Sequence, residues 1–121
     1  MPQKLWSIEP QELYLKVVIQ GDWSFASMKE GIKEVKEAAE KLGLHKVFID
    51  ARNQPPVLTT LQRFEIGEYM SKAWGSKYKV AALGPDKIPS TFTETVAVNR
   101  GVHFRFFSDE SFAFNWLMKD I

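Results

Sequence analysis

The chain contains no cysteine. Disulfide bonds, thiolate metal sites and cysteine nucleophiles are therefore excluded together. Long apolar runs are missing as well, because no stretch approaches the roughly 20 residues of a bilayer-spanning helix. The first segment, MPQKLWSIEP, has no apolar core of the kind that a signal peptide carries. From these absences we expect a cytoplasmic protein without a transmembrane segment.

An excess of charge of either sign is also absent. The 121 residues include 16 basic and 15 acidic side chains, which gives a net charge of +1. A nucleic-acid-binding surface needs lysines and arginines gathered on one face, and the sequence has no such cluster. Nucleic acid is therefore not among the expected partners.

Motifs of the common catalytic and cofactor sites are missing too. The sequence has no GxxxxGK[ST] or GxGxxG phosphate loop and no GxSxG nucleophile elbow. Its two histidines, His45 and His103, do not have the spacing of a metal site. We therefore expect no enzymatic activity, no cofactor and no bound metal.

What the sequence does contain is an alternation of strand-like and helix-like segments. Its length suits one domain, residues 1–121. Apolar residues at every second position predict strands, and apolar residues three or four positions apart predict helices. The predicted order is ββαβαβαβα, with strands over residues 4–8, 11–20, 45–51, 77–84 and 102–107 and helices over 24–42, 59–74, 90–99 and from 108 onward.

The connections between these segments indicate the fold class. Glu9 and Pro10 are expected to end the first strand, and the short link that follows predicts an antiparallel hairpin. The helical connections between the later strands predict parallel pairing with right-handed crossovers. The predicted class is therefore α/β, with a mixed, mostly parallel five-stranded sheet and about four helices.

The same periodicity assigns individual side chains to the core. In the second strand the expected buried residues are Leu13, Leu15, Val17 and Ile19. Leu61 belongs to the apolar stripe of the helix over residues 59–74, and Phe112 is expected to pack the C-terminal helix onto the sheet. Ser108 is expected to cap that last helix.

Polar residues follow the predicted parallel strands at their carboxyl ends, where open α/β sheets bind their ligands. The candidate partner- or ligand-binding residues are Asp22, Asp50, Arg52, Asn53, Thr59 and Thr60. Aspartate and asparagine are also ordinary turn residues, and a hydroxyl at a helix start is an ordinary cap. A purely structural role therefore stays open, as does an enzyme that uses Asp50, Arg52 and Asp22.

Aromatic residues are plentiful, at 13% of the chain. A rich hydrophobic core accounts for them, and an aromatic-lined pocket for a small apolar ligand is the alternative. The candidate pocket-lining residues are Trp23, Phe25, Phe64, Trp74 and Phe92.

Four segments of the chain together resemble a known family. They are GDWSFASMKE, VFIDAR, KYKVAALG and ETVAVNRGVHFRFFSDESFAFNWL, and their order is similar to that of the STAS domain family, in particular its SpoIIAA-like branch. The likeness covers about residues 10–118. It implies a regulatory module that acts through a protein partner, as anti-sigma factor antagonists do, without enzymatic activity.

The resemblance also implies where a regulatory switch lies. In STAS relatives a kinase phosphorylates a serine at the start of the helix after the third strand, and the corresponding positions here are Thr59 and Thr60. The sequence departs from the relatives at this point, since QPPV approaches the helix and no Ser-Gly pair is present. The kinship of this branch with CRAL-TRIO lipid-binding domains implies a small apolar or lipid-like ligand as the alternative. A half-exposed edge strand also permits a homodimer.

Overall fold

Five strands and three helices make up the part of the chain that a computed structural model describes, residues 6–19, 25–52, 60–84, 101 and 103–119. The strands are β1 (Trp6–Pro10), β2 (Leu15–Ile19), β3 (Lys46–Asp50), β4 (Lys79–Leu83) and β5 (His103–Phe107). The helices are α1 (Phe25–Leu42), α2 (Thr60–Trp74) and α3 (Glu110–Met118). The helix predicted over residues 90–99 lies outside the described residues.

The strands form one sheet in the sequence order β1-β2-β3-β4-β5. β1 and β2 pair antiparallel, and the three following pairs are parallel. In this register Phe48 of β3 lies between Lys16 of β2 and Ala81 of β4. The predicted α/β class, the five-stranded mixed sheet and the antiparallel hairpin are thus confirmed.

The face of the sheet that α1 and α2 cover holds the larger hydrophobic core. Alternate strand residues point to it, so β2 contributes Leu15, Val17 and Ile19, and β3 contributes Val47 and Ile49. The helices add apolar residues three or four positions apart, namely Met28, Ile32, Val35 and Ala39 from α1 and Ile66, Met70 and Trp74 from α2. Burial of these side chains is the main term that stabilises the fold.

Trp74 connects the two covering helices. Its ring is buried in the core, and its Nε1–H donates to the carbonyl oxygen of Ile32 at 3.0 Å. A buried indole needs such a partner because an unpaired N–H is costly away from water. The contact therefore fixes α2 against α1 as well as filling the core.

β1 packs against α1 through one close approach. The buried ring of Trp6 lies on Gly31, where an added Cβ atom would overlap three atoms of that ring. Glycine leaves the room that the indole occupies. The Nε1–H of Trp6 is buried and has no hydrogen-bond partner within the described part of the chain.

On the opposite face, α3 covers β3, β4 and β5 with a smaller core. Phe48, Ala81 and Leu83 of the sheet meet Ala113 and Leu117 of the helix. These two α3 residues are four positions apart and therefore share one side of the helix.

Lysines from the sheet hold the C-terminal end of α3. The Nζ of Lys46 donates to the carbonyl oxygen of Met118 at 3.2 Å. The Nζ of Lys79 donates to the carbonyl oxygens of Trp116 and Lys119. Cations near the last carbonyls satisfy unpaired acceptors and oppose the negative end of the helix dipole. The charge of β3 and β4 thus anchors a helix that has only a small apolar contact.

Three side chains predicted to be buried are exposed: Leu13 (65%), Leu61 (64%) and Phe112 (68%). Leu13 lies in the bend before β2, so the alternation of that strand does not reach it. Leu61 lies in the first turn of α2, ahead of the buried residue Ile66. Phe112 lies on a side of α3 that does not face the sheet.

Two predicted boundaries were also wrong. β1 does not end before Pro10 but includes it, and β2 begins only at Leu15. The turn between them is closed by the Gln11 N–H, which donates to the Tyr14 carbonyl oxygen at 2.9 Å. A proline is tolerated at the end of an edge strand because its missing N–H removes no ladder bond there.

The predicted cap of α3, Ser108, was wrong by one position. Asp109 is the N-cap, and its Oδ1 accepts from the backbone N–H of Phe112 at 3.1 Å and from the Ser111 hydroxyl at 2.7 Å. Serine and aspartate both cap helices, so Ser108 and Asp109 are both suitable. The helix begins at Glu110, and the residue before it, Asp109, is therefore the cap.

Candidate functional site

The carboxyl end of β3 carries a buried carboxylate, Asp50, which is 9% exposed. Arg52 donates to both of its oxygens, from Nε to Oδ1 at 3.0 Å and from Nη2 to Oδ2 at 2.8 Å. The backbone N–H of Arg52 adds a third bond to Oδ1 at 3.1 Å. Paired bonds of this kind are the strongest that arginine makes to a carboxylate. The geometry therefore satisfies a charge that would be costly to bury alone.

Arg52 also joins the sheet to α3. Its Nη2 donates to Oε1 of Glu110, the first residue of α3, at 3.3 Å. We call the group Asp50, Arg52 and Glu110 the arginine bridge. The Arg52 side chain is 47% exposed, so the bridge is reachable from solvent at the carboxyl edge of the sheet.

The arginine bridge keeps Asp50 ionised. The hydrogen bond from the Arg52 side chain lowers the pKa of Asp50 below its ordinary value and outweighs the opposing effect of burial, and the positive charge of Lys16 adds to the lowering. The same hydrogen bond raises the pKa of Arg52. A carboxylic acid that donates protons near neutral pH needs a raised pKa. Asp50 has the opposite shift, which suits a fixed charge.

Beside the arginine bridge, a cleft of about 420 Å³ opens between the sheet and α3. It is lined by Tyr14, Lys16, Phe48, Glu110, Ser111 and Phe114. Among the described elements α3 contacts β3, β4 and β5 but not β2. The side of β2 that faces away from α1 and α2 is therefore left beside the helix, and it forms the cleft with the first turns of α3.

Aromatic rings make one part of the cleft apolar. The ring of Tyr14 meets that of Phe114 edge-to-face, with centroids 5.6 Å apart and planes at 78°. The centroid of Phe48 lies 6.3 Å from that of Tyr14. Phe48 is nearly fully buried, whereas Phe114 is 39% exposed. Tyr14 and Phe114 thus form an aromatic corner that an apolar group can reach.

Lys16 supplies the positive charge of the cleft. It is the register partner of Phe48 on β3 and of Glu9 on β1. Within the described residues its ammonium group forms no hydrogen bond and no ion pair. Glu110, the negative group of the cleft, is held by Arg52. The two charged groups that line the cleft therefore differ, because only the carboxylate is paired within the described residues.

The structure brings two of the predicted edge residues together, Asp50 and Arg52. Asp22, Asn53 and Thr59 lie outside the described residues. Thr60 is the first residue of α2, but its side chain is not among those that the structure describes. Their predicted roles stay predictions.

The predicted pocket-lining aromatic residues that are described do not line the cleft. Trp74 lies in the core between α1, α2 and the sheet, and Phe64 is half-buried on α2. Trp23 and Phe92 lie outside the described residues, and so does the side chain of Phe25.

The residues that do line the cleft were not predicted to do so. The alternation of polar and apolar residues in β2 places Lys16 on the polar side of the strand, and the cleft lies on that side. This alternation was the sequence feature that pointed to the cleft. Tyr14, Phe48 and Phe114 come from three separate parts of the chain, and only the docking of α3 brings them together.

Other features of the described residues add no site of their own. Within the described ranges, no group of three His, Asp or Glu side chains is placed to hold a metal ion, and no helix has the length and apolar character needed to cross a bilayer. His45 stacks on Tyr78, and His103 meets the ring of Trp116 edge-on.

Comparison with known proteins returned no match, neither to a protein-family model nor, at a significant level, to a curated protein. The arginine bridge and the cleft are therefore the features of this chain from which a function is inferred.

Proposed function

We propose that this chain is a cytoplasmic, non-catalytic regulatory module of the STAS type, similar to the SpoIIAA-like branch, which binds a protein partner. The binding surface in this proposal is the arginine bridge together with the exposed ring of Phe114 beside it. The order of elements in the sheet and helices is compatible with that family resemblance.

The arginine bridge is the observation that carries the proposal. Arg52 is half-exposed, yet Asp50 and Glu110 hold its side chain in one position. A partner that contacts it loses little side-chain entropy, because the guanidinium group is already ordered. Arginine and large aromatic residues are also enriched at the centres of protein interfaces. The lowered pKa of Asp50 fits a charge used for recognition better than a proton donor.

Site-specific photo-crosslinking tests this proposal. A photo-reactive amino acid replaces Phe114 in one variant and Leu42 in a control; Leu42 is 48% exposed and lies at the end of α1, the helix on the other side of the sheet. In cells that naturally produce the protein, we expect one defined protein adduct from position 114 and none from position 42. Arg52→Ala should reduce the adduct severalfold. Equal adducts from both positions, or an adduct that Arg52→Ala leaves unchanged, would contradict the proposal.

Phosphorylation of Thr59 or Thr60 belongs to the same proposal. Thr60 is the first residue of α2, and the N-terminus of a helix favours the negative charge of a phosphate. Peptide mass spectrometry of the protein from its native cells should find the phosphate on one of these two residues. If no phosphate is found on either residue under any growth condition while the partner adduct still forms, the phosphorylation switch is refuted and the binding of a protein partner still stands.

A small apolar or lipid-like ligand is the second candidate, and the cleft favours it. Its volume of about 420 Å³ falls in the range of about 300–1,000 Å³ that is usual for small-molecule sites. Native mass spectrometry of gently purified protein should find an added mass that Phe114→Ala removes. A bare polypeptide from native cells would count against this candidate.

A further inference from the structure

We infer that the cleft binds a small amphipathic carboxylate, with the apolar body of the ligand on the corner of Tyr14 and Phe114 and its carboxylate on the ammonium group of Lys16. The inference rests on the ligand-binding candidate above and names the chemical class of that ligand.

The aromatic corner selects an apolar body. Tyr14 and Phe114 stand nearly perpendicular, so they leave two ring surfaces that a ligand can contact together. Phe48 closes the apolar part of the cleft beneath them. Transfer of an apolar group from water to such a corner is favourable in proportion to the area it buries.

The charges around the cleft select the head group. Both oxygens of Asp50 accept from Arg52, and Glu110 accepts from the same guanidinium group. These two acids are therefore engaged, whereas Lys16 forms no ion pair with any described residue. A ligand carboxylate supplies the acceptor that the ammonium group lacks among the described residues, and a charge-assisted bond of this type is stronger than a neutral one.

Glu9 is the competing group, because it is the register partner of Lys16 on β1. No ion pair joins the two side chains among the described residues, but the position of Glu9 places a second negative charge near the head group. The local groups Glu9, Asp50 and Glu110 also outnumber the bases Lys16 and Arg52. These acids would favour a cationic ligand, so the test must distinguish a carboxylate from a cation.

Three probes that share one apolar body make this distinction: phenylbutyrate, phenylbutanol and phenylbutylamine. Each is titrated into the full chain, with binding followed by calorimetry and by NMR shifts of the cleft residues. We expect the carboxylate to bind about tenfold more tightly than the alcohol, which corresponds to one charge-assisted hydrogen bond, and the amine to bind most weakly. Equal binding of the carboxylate and the alcohol, or tightest binding of the amine, would overturn the inference.

Variants assign the head group to Lys16. Lys16→Gln should abolish the preference for the carboxylate over the alcohol, while Lys33→Gln, a change of the same type at an exposed position on α1, should leave it unchanged. Glu9→Gln should tighten carboxylate binding because it removes the competing charge. Phe114→Ala should weaken all three probes alike. Circular dichroism and thermal unfolding verify that each variant is folded.

The outcomes also separate this inference from the proposed partner. If none of the three probes binds while the adduct at position 114 persists, the carboxylate inference fails and the protein-binding module stands. If Lys16→Gln and Lys33→Gln reduce carboxylate binding equally, the effect belongs to the overall charge of the protein, and the assignment to Lys16 is overturned.

Discussion

Arg52 donates to both oxygens of Asp50, its neighbour two positions earlier in the chain. Asp50 is the last residue of β3, and Arg52 lies in the turn that follows. The turn lets the arginine fold back over the strand end, where its Nη2 also reaches Glu110 on α3. One guanidinium group thus neutralises a buried acid at the end of β3 and contacts α3 at Glu110, 58 positions after Arg52 in the chain.

Removal of the Asp50 charge should change how stability depends on pH. The folded-state pKa of Asp50 lies below the ordinary value, so its stabilising contribution is complete above the unfolded-state pKa and is lost as the pH falls through the folded-state pKa. Asp50→Asn should lower the free energy of unfolding near neutral pH by roughly 1–2 kcal/mol, discounted for the exposure of Arg52. The gap between the two proteins should shrink as the pH falls below the unfolded-state pKa of the carboxyl group and on through its lower folded-state pKa.

Urea unfolding at a series of pH values measures this gap. Glu37→Gln, the same carboxylate-to-amide change at an exposed position on α1, is the matched control. If the free energies of unfolding of wild type and Asp50→Asn differ by the same amount at every pH, the charge of Asp50 does not stabilise the fold.

Gly31 and Trp6 should behave as a coupled pair. Alanine is favoured over glycine inside a helix by about 1 kcal/mol, yet a Cβ at position 31 would overlap the Trp6 ring. We therefore expect Gly31→Ala to lower the free energy of unfolding by about 1–3 kcal/mol, as overpacking does. In the background of Trp6→Val, which removes the ring, Gly31→Ala should become neutral or stabilising. A double-mutant cycle measures the coupling, and additive effects of the two changes would refute the close approach.

The periodicity of β2 and of the helices was sufficient to predict the sheet, because burial on one face repeats every second residue in a strand and every third or fourth in a helix. The same rule wrongly predicted that Leu13 and Phe112 are buried. A periodic pattern does not show where the neighbouring helix or sheet stops covering a segment. Capping failed by one position for a similar reason. Ser108 and Asp109 are both suitable caps, and only the first turn of α3 decides between them.

Asp50 and Arg52 could be predicted as edge residues because they follow a buried strand, but their mutual bond needs the turn geometry. The cleft was beyond sequence reasoning. Lys16 and Phe114 are almost a hundred positions apart, and they share a cleft only because α3 docks across β3 to β5 and, among the described elements, leaves the same face of β2 uncovered. No local sequence pattern predicts which face of the sheet α3 packs against.

Lys79 should control the local stability of α3. Its Nζ caps two carbonyl groups at the end of the helix and lies 4.6 Å above the centroid of the Trp116 ring. Lys79→Met keeps most of the side-chain stem but removes these contacts, so the amide hydrogens of α3 should exchange about tenfold faster, with those of α1 unchanged. Lys77→Met, at an exposed position two residues earlier, is the control. Faster exchange throughout the protein would mean that α3 does not open on its own.

Trp74 and Phe114 should separate stability from ligand binding. Trp74 is 1% exposed and bonded to Ile32, so Trp74→Phe should lower the free energy of unfolding by about 1–3 kcal/mol through a lost hydrogen bond and a cavity. Phe114 lies in the cleft and is 39% exposed, so Phe114→Ala should cost less than about 1 kcal/mol. Phenylbutyrate affinity should show the reverse order, with a severalfold loss for Phe114→Ala and none for Trp74→Phe. If folded Trp74→Phe loses the probe instead, the ligand sits between the helices and the sheet, as the aromatic pattern of the sequence first suggested.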